Sequence, residues 1–466
     1  MFAKTPPTCA AVNKMAASGK CLFNTELKLF NKGINLCYAA FYVLFIALFL
    51  SCASNPYAAI DFQVNQEEFT KSADTLEEKS GKLYRQKDLV LYYLDKGMLT
   101  HYSGDYQESS SLLQQGEKEI EKNFSVSVSQ EIGTFLMNDR TREYDGEDHE
   151  DVYLNLFNAL NYYHRGNMEG AMVEIRRMNN KLRDLSVKYG QIMSNMQRHA
   201  LENNTEVPAN PEATIKFNNS ALARYLGMLF YRGSGMMDDA RIDQNQLRVA
   251  MADAPQIYRN PVPSSVRDEL TIPRGMARLN VIGFAGLSPV KTEEVTRIWL
   301  RDAWIKVALP VMRSRPSRIA SIEVVLDSGE SFALELLEDM GAVINATFSQ
   351  KKNIIYVKTI TRAIIKGMTA RVFNEAARHS DENKGLFTIL GLGSQIFAEA
   401  SERADLRGAR YFPAKAYVGG INLRPGTYSY TITYYDSTGK AIAERRFENI
   451  MIGANALNLT EVVCLR

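Results

Sequence analysis

The sequence predicts a mixed α+β protein in which a helical region precedes a C-terminal α+β domain that ends in a small antiparallel sheet. Three observations support this prediction. Amphipathic helical periodicity runs from about residue 67 to 254, four prolines fall within 255–273, and alternating strand patterns follow. We therefore expect five segments: a signal peptide (1–51), a lipidated tether (52–66), a helical domain (67–254), a proline-rich linker (255–273) and the α+β domain (274–466).

The leader is the first element. Tyr38 to Leu50 carries no charge and follows Lys28 and Lys32. A basic flank, an apolar core and a small residue before a cysteine are typical of an export signal. The run Phe49-Leu50-Ser51-Cys52 resembles a bacterial lipobox, so Cys52 is predicted to be lipidated. An uncleaved membrane helix is the alternative, although the apolar run is shorter than the roughly 20 residues of a span.

Residues beyond the leader indicate where such a protein works. Ala53 follows the cysteine where an aspartate would retain a lipoprotein in the inner membrane, so we expect the periplasmic face of the outer membrane. The leader contains five lysines and one glutamate, and the rest of the chain is slightly acidic. A nucleic-acid partner is therefore not expected. Cys464 is the only other cysteine outside the leader, so no intrachain disulfide is predicted.

The helical domain contains three similar stretches. Small residues such as Gly97 and Ala159 occur where two helices would cross, and Gly104 and Gly166 occur where a turn would join them. This pattern resembles the tetratricopeptide repeat and predicts an irregular solenoid. A plain helical bundle is the alternative. The three stretches are Tyr93–Gly116, Leu156–Met178 and Ala223–Leu247.

A solenoid presents a long concave surface that suits a protein partner. Four tyrosines near the predicted turns are the candidate partner-binding residues: Tyr102, Tyr106, Tyr162 and Tyr163. The first functional hypothesis is therefore a membrane-anchored interaction scaffold in a cell-envelope assembly. Its partners would be other envelope proteins, and homo-oligomerisation stays open.

The C-terminal domain shows alternating apolar and polar residues with turn residues between the runs. A helix is expected over Leu336–Thr347 and another over Arg362–Arg378. The predicted strands are Arg278–Phe284, Ile305–Leu309, Ile322–Leu326, a strand through Phe332 and Leu334, Ile354–Thr359, Thr427–Tyr435, Lys440–Phe447 and Leu457–Val463.

Several short motifs are distributed from the helical region to the C-terminal domain. They are Tyr144-Asp-Gly146 with Glu150, Ala159-Leu-Asn-Tyr162, Glu174-Ile-Arg-Arg177, Arg362-Ala363 with Lys366, Ala404-Asp-Leu-Arg407 and Phe412-Pro413. With these motifs the chain resembles a family of bacterial envelope lipoproteins with tetratricopeptide-like helices. Ala409 departs from the tryptophan expected there. The resemblance implies an envelope location and this architecture, and it brings no catalytic residues.

Motifs for catalysis are missing from the sequence. There is no HExxH, CxxC, phosphate-binding loop or GxSxG elbow, and the five histidines are scattered. We therefore expect no enzyme, no metal and no cofactor.

Three features favour a second hypothesis, a lipid- or glycan-binding accessory protein of envelope biogenesis. The first is the apolar segment Leu386–Phe397, where Leu386, Phe387 and Phe397 are candidate membrane contacts. The others are a basic stripe and a basic loop, which suit an anionic group. Their residues are Lys358, Arg362 and Lys366 in the stripe, and Arg313, Arg315 and Arg318 in the loop. A buried core helix, a solvated face and a solvated loop are the respective alternatives.

Overall fold

Helices form the first part of the chain and strands form most of the rest, so the mixed α+β class is confirmed. The computed structural model describes residues 55–134, 142–184, 219–300, 303–349, 352, 355, 403–454 and 456–466. Among these, Ala59–Arg466 forms one compact unit. The described helices are α1 (Ala58–Asn65), α2 (Phe69–Leu83), α3 (Leu89–Ser103), α4 (Tyr106–Thr134), α5 (Asp148–His164), α6 (168–184), α7 (Ala221–Gly233), α8 (Met237–Asp253), α9 (Ser264–Asp268) and α10 (340–349).

Six of these helices form three helical hairpins: α3 with α4, α5 with α6, and α7 with α8. A glycine with positive φ closes each turn, with φ of 88° at Gly104, 72° at Gly166 and 76° at Gly235. Glycine adopts this left-handed conformation without the steric penalty of a Cβ atom. The predicted turns at Gly104 and Gly166 are therefore present.

A seven-stranded sheet contains most of the strands, in the order β8-β7-β4-β5-β6-β1-β9. Neighbours are antiparallel except β1 and β9, which are parallel. β2 and β3 form a separate two-stranded sheet. The strand bounds are β1 (Ala277–Leu287), β2 (Val290–Leu300), β3 (Ala303–Arg313), β4 (Ser321–Leu326), β5 (Ser331–Asp339), β6 (Pro413–Leu423), β7 (Gly426–Tyr435), β8 (Ala441–Ile452) and β9 (Asn458–Cys464).

The helix predicted over Leu336–Thr347 begins later than expected. The first four residues of that range continue β5, in which Leu336 pairs with Tyr417 of β6 across a β-bulge. Helix α10 follows from residue 340. The strand predicted over Ile354–Thr359 and the helix over Arg362–Arg378 lie outside the described residues, apart from Ile355.

The first helix of each hairpin packs on the sheet through buried polar contacts. Glu338 of β5 is fully buried and accepts hydrogen bonds from the hydroxyls of Tyr153, Ser220 and Tyr258 at 2.6–3.0 Å. Tyr258 belongs to the range 255–273 that was interpreted as a linker. This range also contains α9, and Tyr258 is only 7% exposed. The segment is therefore part of the packed interface between helices and sheet.

A second buried carboxylate joins the turns of the first two hairpins to the sheet. Glu461 of β9 contacts the Nε2 atoms of His101 and His164, both at 2.7 Å. Burial alone would raise the pKa of Glu461, but the two imidazoles hold it well below its usual range. These histidines, scattered in the sequence, meet in the fold.

Replacement of Gly97 by alanine should destabilise the protein more than the same change at Gly116. A Cβ on Gly97 would lie 2.8 Å from Cδ2 of buried Leu113, whereas a Cβ on Gly116 would find ordinary contacts at 3.4 Å or more. Both glycines lie within helices, so replacement by alanine raises the helix propensity equally at the two positions. We expect Gly97→Ala to have a free energy of unfolding about 1–3 kcal/mol below that of Gly116→Ala, measured by urea denaturation. Equal values for the two variants would show that the helices do not cross closely at Gly97.

Candidate functional site

A cleft of about 650 Å³ lies where the ends of β1, β5 and β6 meet. Met251 of α8, the segment 256–260, the loop 314–317 and one face of α10 complete its lining. Its volume falls within the range of known small-molecule sites, roughly 300–1,000 Å³. The described chain therefore offers a concave site beside the sheet.

Three cations and one carboxylate lie in the described lining: Arg259, Arg315, Lys415 and Asp339. Arg259 is exposed and Lys415 is half-buried, and neither side chain has a hydrogen bond or ion pair within the described residues. Asp339 Oδ1 accepts a hydrogen bond from the Ala342 amide at 2.8 Å and so caps the start of α10. The lining consequently has an excess of positive charge.

Arg315 is the cation most firmly held in place. Its Nε donates to the Ser288 carbonyl at 2.7 Å, and its Nη2 donates to the Arg410 carbonyl. Its Nη1 is buried and has no partner among the described residues, and the same is true of Ser288 Oγ. Burial and the nearby Arg410 guanidinium lower the pKa of Arg315 to about 10. A buried donor without a partner costs about 1–3 kcal/mol.

Residues 403–412, which we name the strap, place the Arg410 carbonyl beside Arg315. Two buried carboxylates of the helices hold the backbone of the strap. The Ala409 amide donates to Glu150 and the Arg410 amide donates to Asp95, both at 2.6 Å. Burial raises the pKa of Glu150 to about 7 and that of Asp95 to about 6. Arg315 is thus oriented by a segment of irregular backbone that helices α3 and α5 fix.

Of the basic loop predicted to hold an anion, Arg315 lines the cleft. Arg313 and Arg318 are exposed and are not among the lining residues. The predicted site residues Cys52, Lys358, Arg362, Lys366, Leu386, Phe387 and Phe397 lie outside the described residues.

The four tyrosines predicted to bind a partner make contacts within the chain. The Tyr102 hydroxyl donates to the Tyr411 carbonyl at 2.9 Å, and Tyr163 accepts a hydrogen bond from the Leu459 amide at 2.9 Å. The Tyr106 ring stacks on His164, and the Tyr162 hydroxyl accepts a hydrogen bond from Gln114. Binding of another molecule by these residues stays a prediction.

Sequence reasoning missed Arg259 and Lys415. Each stands alone among prolines and small or aromatic residues, and a lone cation in such a context has no distinctive pattern. Only the pairing of β6 with β5 brings Lys415 opposite Asp339 and so into the same cleft as Arg315.

No family model, curated protein or solved structure matches this chain. Among the described residues, no helix has the length and apolarity required to cross a bilayer. In the same part of the chain, no group of three or more histidine, cysteine, aspartate or glutamate side chains is placed to hold a metal ion.

The carboxylates that hold the strap should make stability depend on pH. The pKa values of Asp95 and Glu150 are raised by folding, so between about pH 4 and pH 7 these two carboxyl groups bind more protons in the folded protein than in the unfolded chain. Their contribution to the free energy of unfolding therefore falls as the pH rises through this window. We expect Asp95→Asn, whose amide still accepts from Arg410, to remove on the order of 2 kcal/mol of this dependence. Urea denaturation at several pH values measures it.

The matched control is Asp74→Asn, which neutralises an exposed aspartate of α2. It should leave the pH dependence unchanged. If Asp95→Asn and Asp74→Asn give the same dependence, then Asp95 does not take up a proton in the folded protein.

Proposed function

We propose that this protein is a lipid-anchored protein of a bacterial cell envelope that binds an anionic component of that envelope in the cationic cleft. The observation that carries the proposal is the group of three cations in the cleft, of which Arg315 has a buried Nη1 without a partner in the described chain. Guanidinium groups bind phosphate and carboxylate through paired, charge-assisted hydrogen bonds. Arg259 and Lys415 add two positive charges that no described side chain neutralises.

The proposed role is binding rather than catalysis. The described lining of the cleft contains no histidine or cysteine, and its one carboxylate caps α10. A general base beside a nucleophile is the usual arrangement for covalent catalysis, and these residues do not supply it. The role corresponds to an accessory protein that holds an envelope lipid or glycan.

The proposed location is the periplasmic face of the outer membrane, through acyl chains on Cys52. The leader pattern before Cys52 and the resemblance to envelope lipoproteins support this location. Two or three acyl chains hold a protein stably at a bilayer, whereas one chain binds only marginally.

A scaffold role is the second candidate. The three helical hairpins with glycine turns support a tetratricopeptide-like arrangement, whose second helices are α4, α6 and α8. Apolar side chains stand exposed on two of these helices: Val173 is 40% exposed, Ile242 57% and Val249 44%. Because the first helices contact the sheet, we propose that another envelope protein or a second copy would bind the second helices.

Inorganic phosphate should bind the purified, lipidated full-length protein, with the cleft cations as its ligands. We expect Arg259→Gln and Lys415→Gln each to weaken binding about tenfold in isothermal titration calorimetry, since each removes one charged hydrogen-bond donor. Neither side chain has a described partner, so both variants should fold. Arg176→Gln is the matched control, because it removes an exposed cation of α6 that is not among the lining residues. Equal affinity in all variants would place phosphate elsewhere.

Replacement of Cys52 by alanine should release the protein from the membrane fraction or leave the leader uncleaved. The thiol of Cys52 is the proposed site of acylation, and alanine cannot be acylated there. Metabolic labelling with a palmitate analogue and mass measurement of the N-terminal peptide test this. A wild-type protein that takes up no label would refute the lipid anchor while leaving the cleft proposal intact.

A further inference from the structure

The cationic cleft is linked directly to α1, the first described helix after the tether. Arg315 donates to the Arg410 carbonyl, and the Arg410 guanidinium donates to Asp61 of α1 at 3.0 Å. The hydroxyl of the neighbouring Tyr411 donates to the other oxygen of Asp61 at 3.2 Å. A single strap residue, Arg410, therefore separates a lining residue of the cleft from α1.

The covalent chain limits how far α1 can be from the lipidated residue. Helix α1 begins at Ala58, six residues after Cys52. Six residues span at most about 20 Å when fully extended. Phe62 of α1 is 64% exposed, so a large apolar side chain faces outward on the helix that follows the tether. Acylation of Cys52 would thus hold α1, and with it the strap, close to lipid headgroups.

The lining of the cleft suits a molecule with both an anionic and an apolar part. Besides the three cations, the wall contains apolar side chains of several elements. They include Ile257, Leu287, Pro289, Leu336, Leu337 and Ala346. A free inorganic anion would use only the cations, whereas an amphiphile would use both parts of the wall.

We infer that the ligand of the cleft is an anionic phospholipid of the membrane in which the protein is anchored. Its headgroup phosphate is bound by Arg315, Arg259 and Lys415, and its glycerol and first methylene groups lie against the apolar wall. This inference rests on the proposed function, because the lipid anchor on Cys52 is part of that function. The phosphate chemistry is shared with soluble phosphate esters, and the experiment separates the two sources.

The test uses the lipidated full-length protein in phosphatidylcholine liposomes that contain a phosphatidylglycerol analogue with a photoreactive diazirine on its headgroup. After illumination and proteolysis, mass spectrometry locates the labelled peptides. We expect label on the segments 256–260 and 314–317, which line the cleft. Arg259→Gln and Lys415→Gln should each lower this labelling about tenfold, and the exposed-cation control Arg176→Gln should leave it unchanged.

Four results would overturn the inference. Label spread over the surface without regard to the variants would show that lipid contacts the protein only because the anchor holds it there. Cleft label that persists in both variants would show apolar contact without headgroup recognition. Loss of label on addition of soluble glycerol phosphate in modest excess would identify a soluble ligand. A fourth result would be phosphate binding in calorimetry without any lipid label. In the third and fourth cases the proposed function stands and only the lipid assignment fails.

Discussion

Buried carboxylates shared between helices and sheet are the constraint on which the described fold depends. A buried carboxylate must be paired or fully hydrogen-bonded, since an unsatisfied one costs several kcal/mol. Glu338 of β5 meets this need with donors from α5, the start of α7 and the 255–263 segment. Each carboxylate therefore requires the helices and the sheet to be in place together. This explains why Ala59–Arg466 is one compact unit although helices and strands are separated along the chain.

The same constraint determines which faces of the helices are used within the chain. The contacts of Tyr102 with the strap and of Tyr163 with β9 show that α3 and α5 face the C-terminal half of the same chain. The helix faces that carry these two tyrosines, which the repeat pattern predicted to bind a partner, thus make contacts within the chain. An open cleft lies instead at the ends of β1, β5 and β6, where strand ends, loops and α10 together form the wall. Loops at strand ends are common positions for binding residues because the scaffold beneath them is rigid.

Local patterns predicted those elements that local interactions determine. Glycines at the turns marked Gly104 and Gly166, and alternation marked the strand that ends at Tyr435. Strand β6 was not predicted because Gly419 and Gly420 weaken its strand pattern. Glycine is nevertheless required at position 420, because a Cβ atom there would lie 2.9 Å from the Leu279 carbonyl oxygen of β1. The need for glycine there comes from a neighbouring strand 141 positions away in sequence, which no local window contains. The roles of Arg259 and Lys415 in the cleft could not be predicted for the same reason. The two residues are far apart in the sequence, and only the folded chain places both in the lining of one cleft.

Arg315 both holds the strap in place and lines the cleft. Its guanidinium is held by two carbonyls, while burial and the nearby Arg410 guanidinium lower its pKa to about 10. A residue needed only to hold the strap would serve as well with fewer unsatisfied donors, because a buried polar group without a partner reduces stability. The chain keeps a cation there with Nη1 unpartnered among the described residues, beside two more cations that lack a described counter-charge. The proposed anion would offset part of this positive charge, because phosphate and carboxylate groups form charge-assisted hydrogen bonds with guanidinium and ammonium groups.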